Sequence, residues 1–171
     1  MELSDVLNTR RSIRAFTSQQ VEQAKLRQIL EAGNSAPSAG NLQAYEVYVV
    51  TDPQQRKALA RAALDQEFLA SAPVVLAFCA NPARNMGRYG ERGRRLYALQ
   101  DATIACTYAM LTATDLGLAT VWVGAFNDDA VSKVLRLPVG LLPVAMLPVG
   151  YAAEHPAAAP RRPLDDLVHS L

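Results

Sequence analysis

The sequence predicts a single layered domain of the α+β (α/β layered) class, in which helices cover a central sheet. Three observations predict it. Candidate helices and strands are interleaved along the 171 residues, with the helical share larger. The run "APVVLAFCA" is apolar without interruption over a strand's length, as expected of a strand covered on both faces. The longest helical stretch, from about Arg94 to Leu116, is apolar nearly all round, which places it centrally in the fold.

Taken in order, Leu3, Val6 and Leu7 form a short helical face. In "TSQQVEQAKLRQILEAG", Thr17 and Gln20 have the spacing of a capping box, and Leu26, Ile29, Leu30 and Gly33 follow at helical spacing. "AYEVYVVT" reads as a strand, rich in β-branched and aromatic residues. Asp52 as N-cap and Pro53 in the first turn start a helix running roughly to Ala70. The central helix carries one stripe of Leu96, Leu99, Thr103, Cys106, Met110 and Ala113 and another of Ile104, Tyr108 and Leu111. Gly117 ends it as a left-handed cap. "LATVWVGAF" is a third strand that breaks at Gly124, Asn127 or Asp128 caps a short helix ending before Pro138, and "PVAMLPVGY" is a fourth strand.

Composition excludes several function classes. The chain is half apolar with a net charge of +1, from 17 basic and 16 acidic residues, so bulk binding to nucleic acid or an anionic membrane is not expected. The start "MELSDVLNTRRS" has no apolar core of a secretory signal. Pro138, Pro143 and Pro148 interrupt "LPVGLLPVAMLPVGYAA", which suits a turn and a strand rather than a spanning helix. Cys79 and Cys106 sit in apolar runs and read as buried thiols of a reducing, cytoplasmic protein. His155 and His169 are isolated, without metal-ligand spacing, so no metal is expected.

Several clusters of residues suit a ligand. "NTRRSIRAF" sets Arg10, Arg11, Ser12 and Arg14 within five residues, and guanidinium forks with a hydroxyl suit a phosphate. The other reading is a solvated basic turn. In "SAPSAGNLQ", Pro37 and Ser38 can press backbone against a planar ring while Asn41 and Gln43 bond its polar edge; a helix cap and loop is the alternative. Gly124, at a strand end, marks either a close approach of backbone to ligand or a bulge. Arg161 and Arg162, between Pro160 and Pro163, lie in extended backbone or in a disordered tail. Arg92, Arg94 and Arg95 read as a solvated helix start, and Asp101 as a structural hydrogen-bonding group if buried. No Ser/His/carboxylate or Cys/His set, phosphate-binding G-x-x-x-x-G-K loop or G-x-G-x-x-G motif is present. Any enzyme built on this chain needs a cofactor to carry the chemistry.

In order, "RRSIRAF", "SAPSAGNLQ", "LGLATVWVGAF" and "LPVGYAAEHP…PRRPLDDLV" closely resemble the flavin-dependent nitroreductase family, from Arg10 to Val168. The shortness of the chain resembles the compact branch related to the NADH oxidases. The resemblance implies a nitroreductase-like fold with a central mixed sheet, and a homodimer holding two FMN molecules at its interface. It implies one domain over 1–171, whose tail 152–171 extends around the partner. Arg10, Arg11 and Ser12 would hold the ribityl phosphate with Arg161, and Arg14 would approach the pyrimidine edge. Pro37, Ser38 and Asn41 would come from the partner subunit, with Gln43 nearby. Val123, Gly124 and Ala125 would lie along the ring, and Gln66 matches a polar pyrimidine contact.

The implied activity is that of an FMN-dependent NAD(P)H oxidoreductase, passing hydride through flavin N5 in ping-pong fashion to a small acceptor such as a nitroaromatic or quinone. No side chain acts as catalyst, since flavin N5 carries the chemistry. Two other readings stand beside it: a specialised branch, resembling the reductive dehalogenases or the flavin-consuming dimethylbenzimidazole synthases, and a non-enzymatic flavin-binding protein. The chain departs from the family pattern in "QAY", where glutamine-proline-tryptophan is frequent, and at Ala159, where some relatives have a second basic phosphate ligand.

Overall fold

The computed structural model describes residues 1–170. Leu171, the last residue of the expected 152–171 tail, lies outside the described residues. Four strands, β1 (Tyr45–Val50), β2 (Val74–Ala80), β3 (Ala119–Thr120) and β4 (Leu142–Gly150), form one sheet in the order β1-β2-β4-β3. The three ladders are antiparallel, and the parallel component is a single bridge from Ser12 to Thr120. Seven helices surround the sheet: α1 (Leu3–Thr9), α2 (Gln23–Asn34), α3 (Pro53–Ala62), α4 (Phe68–Ser71), α5 (Pro82–Arg92), α6 (Ala98–Asp115) and α7 (Asp128–Leu135).

Alternation along β2 builds two cores. Val74, Leu76 and Phe78 point to the side of α2 and α6, where they meet Leu26, Ile29, Ala105 and Ala109. Val75 and Ala77 point the other way, to Leu59 of α3 and Val131 of α7. Every residue of β2 is buried, as its unbroken apolar run requires. Asp52 accepts from the Gln55 N–H at 2.8 Å and Asn127 from that of Ala130 at 2.8 Å, so both expected N-caps are in place.

Other expectations are corrected. Thr17 and Gln20 form no capping box, and α2 begins only at Gln23. Residues 16–17 are instead held extended: Phe16 bridges Ala152, and the Thr17 N–H donates to the Tyr151 carbonyl at 2.9 Å. The helix from Pro53 stops at Ala62, because Leu64 and Asp65 both take positive φ of 58° before the short α4. A π-helical stretch, Gly93–Tyr97, leads into α6. The third strand pairs only over Ala119–Thr120, with a further isolated bridge from Val123 to Met146.

Helix α6 lies centrally, as expected of a helix apolar nearly all round, but begins at Ala98 rather than Arg94. Its inner face carries Ala98, Ala102, Ala105, Ala109 and Ala113 with Cys106, while Leu99 and Tyr108 are 45% and 40% exposed. Small side chains let the helix lie close on the sheet, and that requirement outweighs the pull to bury the larger ones.

Both cysteines are fully buried; burial pushes the Cys79 thiol up to about 12 and raises that of Cys106 further. Native protein at pH 8 is therefore expected to leave both thiols unreacted with Ellman's reagent, and both should react in guanidinium chloride. Immediate reaction of the native protein at either thiol would contradict this packing.

Candidate functional site

Three groups of candidate residues form, and the fold brings only some of them together. The first lies where the N-terminal segment meets the tail. Arg10 ends α1, and the chain then runs extended along the sheet edge: the Ile13 N–H donates to Thr120 O at 3.0 Å, and the Ile13 side chain is buried. The alternation of extended chain then turns Ser12 and Arg14 outward. The tail folds back against the same segment, since the Glu154 carboxylate accepts from the N–H groups of Arg14 and Ala15 and the Ala153 N–H donates to Ala15 O at 2.8 Å. Arg10, Arg11, Ser12, Arg14 and Arg161 thereby line one cleft of about 280 Å³, closed by the 156–159 segment of the same chain.

The charge of this cleft is not neutralised. Among the described residues, none of its four arginines has a carboxylate within salt-bridge distance. Arg11 is partly committed, because its Nη1 donates to the carbonyls of Asn8 and Arg10 at 2.6 and 2.8 Å and closes the end of α1. Arg161 has only long contacts to Ala159 and Pro160 carbonyls, at 3.4 and 3.5 Å. Forked donors around a small cleft without a counter-charge suit a bound phosphate.

The second group is the loop 37–43. Gly40, Asn41 and Gln43 take positive φ of 58°, 58° and 43°, which curls the loop over itself. Ser38 Oγ accepts from the Gln43 backbone and side-chain N–H groups at 3.0 and 3.2 Å, and Gln43 Nε2 also donates to Asn41 Oδ1 at 2.5 Å. This leaves the Asn41 amide nitrogen and the Gln43 amide oxygen uncommitted among the described residues. Pro37 and Ser38 line a separate cleft of about 580 Å³ with Tyr97, Leu99 and Ile104.

The third group joins Gln66 to the end of the third strand: Gln66 Nε2 donates to Ala63 O at 2.8 Å and to Ala125 O at 2.9 Å. Gly124 and Ala125 are exposed. The Val123 side chain is buried and its N–H donates to Met146 O, so neither its side chain nor its N–H is free to lie on a ring. A Cβ at Gly124 would stand 3.2 Å from Trp122 Nε1.

A sequence model of the Nitroreductase family matches residues 7–68 and 61–151. The chain belongs to the nitroreductase family. It is 34% identical over 181 residues to a Bacillus subtilis FMN reductase [NAD(P)H], an alignment covering 98% of this chain and 73% of that one. A Thermus thermophilus NADH dehydrogenase is 32% identical, with 93% and 91% covered. The structure of the Bacillus subtilis oxidoreductase YcnD superposes with a TM-score of 0.90 at 34% identity, over 99% of this chain and 73% of that one. NADPH:FMN oxidoreductase from Vibrio harveyi complexed with NAD+ gives 0.91 at 27% identity, over 98% and 76%.

Two features of this nitroreductase chain were not assigned from sequence. Glu154 is the clip that brings the tail to Arg14; a lone glutamate in an alanine- and proline-rich stretch carries no signal of that pairing. Asp101 was expected to make structural hydrogen bonds, but its partners were unknown. It is 2% exposed and accepts from Ala39 N–H at 2.9 Å, Ala44 N–H at 3.2 Å and Asn85 Nδ2 at 3.2 Å, so it sets the position of the whole 37–43 loop. Removing it leaves those three donors without an acceptor, two of them buried and that of Ala39 partly so. Asp101→Ala is expected to lose about 3 kcal/mol or more in urea denaturation, at about 1 kcal/mol or more per stranded donor. Asp101→Asn, which keeps one acceptor, should lose less; an unchanged midpoint for the alanine variant would contradict the assignment.

Proposed function

We propose that this protein is an FMN-dependent NAD(P)H oxidoreductase that works as a cytoplasmic homodimer on a small acceptor such as a nitroaromatic or quinone. The observation that carries the reading is the unneutralised Arg10–Arg11–Ser12–Arg14–Arg161 cleft, within a chain similar to reductases named for FMN and NAD(P)H. The donor set fits FMN: forks and a hydroxyl for the phosphate, amides for the polar edge of a ring, and the small, exposed Gly124 and Ala125 that leave room for one. When bound, FMN supplies the redox chemistry, accepting hydride from NAD(P)H in one half-reaction and reducing the acceptor in the other.

The chain's own residues bind and orient. Arg10, Arg11, Ser12 and Arg161 hold the phosphate, and Arg14 provides positive charge toward the pyrimidine, where negative charge builds on reduction. Gly124 and Ala125 offer backbone to the ring, and Gln66 holds that backbone in place through Ala125. Pro37, Ser38, Asn41 and Gln43 cover a ring from the other side.

One subunit does not supply both sides of one site. The 37–43 loop is tied to Asp101 near the start of α6, and the arginine cleft adjoins Gly117–Thr120 beyond its end. At about 1.5 Å rise per residue these lie roughly 24 Å apart along the helix. A two-fold pairing of α6 with its mate, in opposite directions, would bring the loop of one subunit to the arginines of the other. Tyr108, with half-buried Ile104 and Leu111 on the same side of α6, offers the apolar surface for such a pairing.

Purified protein is expected to be yellow and to bleach on addition of NADH or NADPH without oxygen. Protein that stays colourless with added FMN would overturn the reading, and protein that binds FMN but is not reduced would be a flavin carrier. Arg14→Ala and Arg161→Ala should each weaken FMN binding by about 10- to 100-fold, the loss of one charge-assisted hydrogen bond. Subunits carrying Arg14→Ala mixed with subunits carrying Asn41→Ala are expected to give a heterodimer with one intact FMN site, because both lesions fall on the other. A heterodimer with no intact site, or a monomer binding FMN at wild-type affinity, would refute the shared site.

A further inference from the structure

The 81–97 segment holds five arginines (84, 88, 92, 94 and 95) against Glu91 alone, in a chain whose net charge is only +1. All five are exposed, and two of them, Arg88 and Arg92, are stacked on tyrosine rings as a ladder. The Arg88 guanidinium carbon stands 5.4 Å from the Tyr89 ring centre, Tyr89 meets Tyr97 edge to face at 5.1 Å, and the Arg92 guanidinium carbon stands 5.6 Å from the Tyr97 ring. The ladder lies on the loop that covers the proposed flavin site. Arg88 Nη1 donates to the Gly40 carbonyl at 3.3 Å, and a Cβ at Gly40 would come within 2.5 Å of the Tyr89 hydroxyl. Tyr97 lines the same 580 Å³ cleft as Pro37 and Ser38.

Glu91 does not neutralise the ladder. Its carboxylate is held by Arg94 at 2.7 and 2.8 Å, with Arg95 at 4.0 Å. Arg88 and Arg92 meet only neutral partners among the described residues, Gly40 O and the Tyr97 hydroxyl. Arginines stacked on rings keep their outer N–H edges for an anion, and being pre-positioned they lose less freedom on binding one.

We propose that Arg88 and Arg92 form the recognition site for the 2′-phosphate of NADPH, making this oxidoreductase selective for NADPH over NADH. This rests on the reading of the protein as an FMN-dependent NAD(P)H oxidoreductase. The Arg10–Arg11–Ser12–Arg161 set is assigned to the flavin phosphate, so the ladder, which lies beside the 37–43 loop, is a second and separate cationic site. The 2′-phosphate is the one group that NADPH has and NADH lacks. Being dianionic, it is matched by two guanidinium forks.

The test uses the flavin-loaded protein and titrates adenosine 2′,5′-bisphosphate and 5′-AMP by calorimetry. The 2′-phosphorylated nucleotide is expected to bind about tenfold or more tightly than 5′-AMP, and Arg88→Ala or Arg92→Ala should each remove about tenfold of that, as for one charge-assisted hydrogen bond. The ratio of kcat/KM for NADPH to that for NADH should fall in step. Arg92→Lys, which keeps charge but not the fork, should fall between wild type and Arg92→Ala. Equal binding of the two nucleotides to wild type, or variants that bind the bisphosphate as wild type does, would overturn the proposal. Flavin absorbance of the same samples separates the two failures: loss of FMN binding in the wild type would sink the functional reading, whereas a yellow protein blind to the 2′-phosphate sinks only this one.

Discussion

The Asp101 side chain, buried near the start of α6, accepts from the backbone at Ala39 and Ala44 and from the Asn85 side chain, so three segments distant in sequence meet on one side chain. A buried carboxylate without a cation persists only where hydrogen bonds replace the water it has lost. These bonds make the shape of the 37–43 loop dependent on α6. The loop in turn carries α5 on its outer side, through Arg84 on Leu42 O at 2.9 Å and Arg88 on Gly40 O at 3.3 Å. Loop, α5 and the cation–aromatic ladder therefore share one anchor.

In the proposed dimer the same helix would tie folding to assembly. Its alanine face lies flat on β2 and β4, which leaves the larger side chains facing outward. Bulky apolar residues on an exposed helix face suit a second subunit. Because the loop and the arginine cleft sit at opposite ends of α6, a symmetric pairing along this face would also complete each site, so that burial of apolar surface and cofactor binding would be stabilised together.

Charge is distributed with the same economy. A net charge of +1 conceals two basic clusters, at 10–14 with Arg161 and at 84–95. Carboxylates near both are engaged elsewhere: Glu154 accepts from backbone N–H groups beside Arg14, and Glu91 is taken up by Arg94. What remains is guanidinium without a carboxylate partner, lining a cleft in the first cluster and exposed on tyrosine rings in the second, suited to anionic ligands that arrive from solution.

Much of this was legible in the sequence. Alternation, an unbroken apolar run and cap residues act locally, so the layered class, the buried β2, the caps at Asp52 and Asn127 and the cluster of Arg10, Ser12 and Arg14 could all be read directly. Thr17 and Gln20 misled because the pairing of Phe16 with Ala152, 136 positions away in the chain, overrode a local cap. The two apolar stripes of α6 left its inner face open, because hydrophobicity ranks leucine and tyrosine above alanine, while the space between helix and sheet admits the smaller residue. Arg161 could be singled out as a candidate from the family resemblance, but its meeting with Arg14 in one cleft depends on Glu154, and the reach of Gln66 to Ala125 depends on two left-handed residues after α3. Residue types and short spacings thus decided which chemistry this protein could carry. Long-range hydrogen bonds, which have no periodicity to read, decided which of those residues meet.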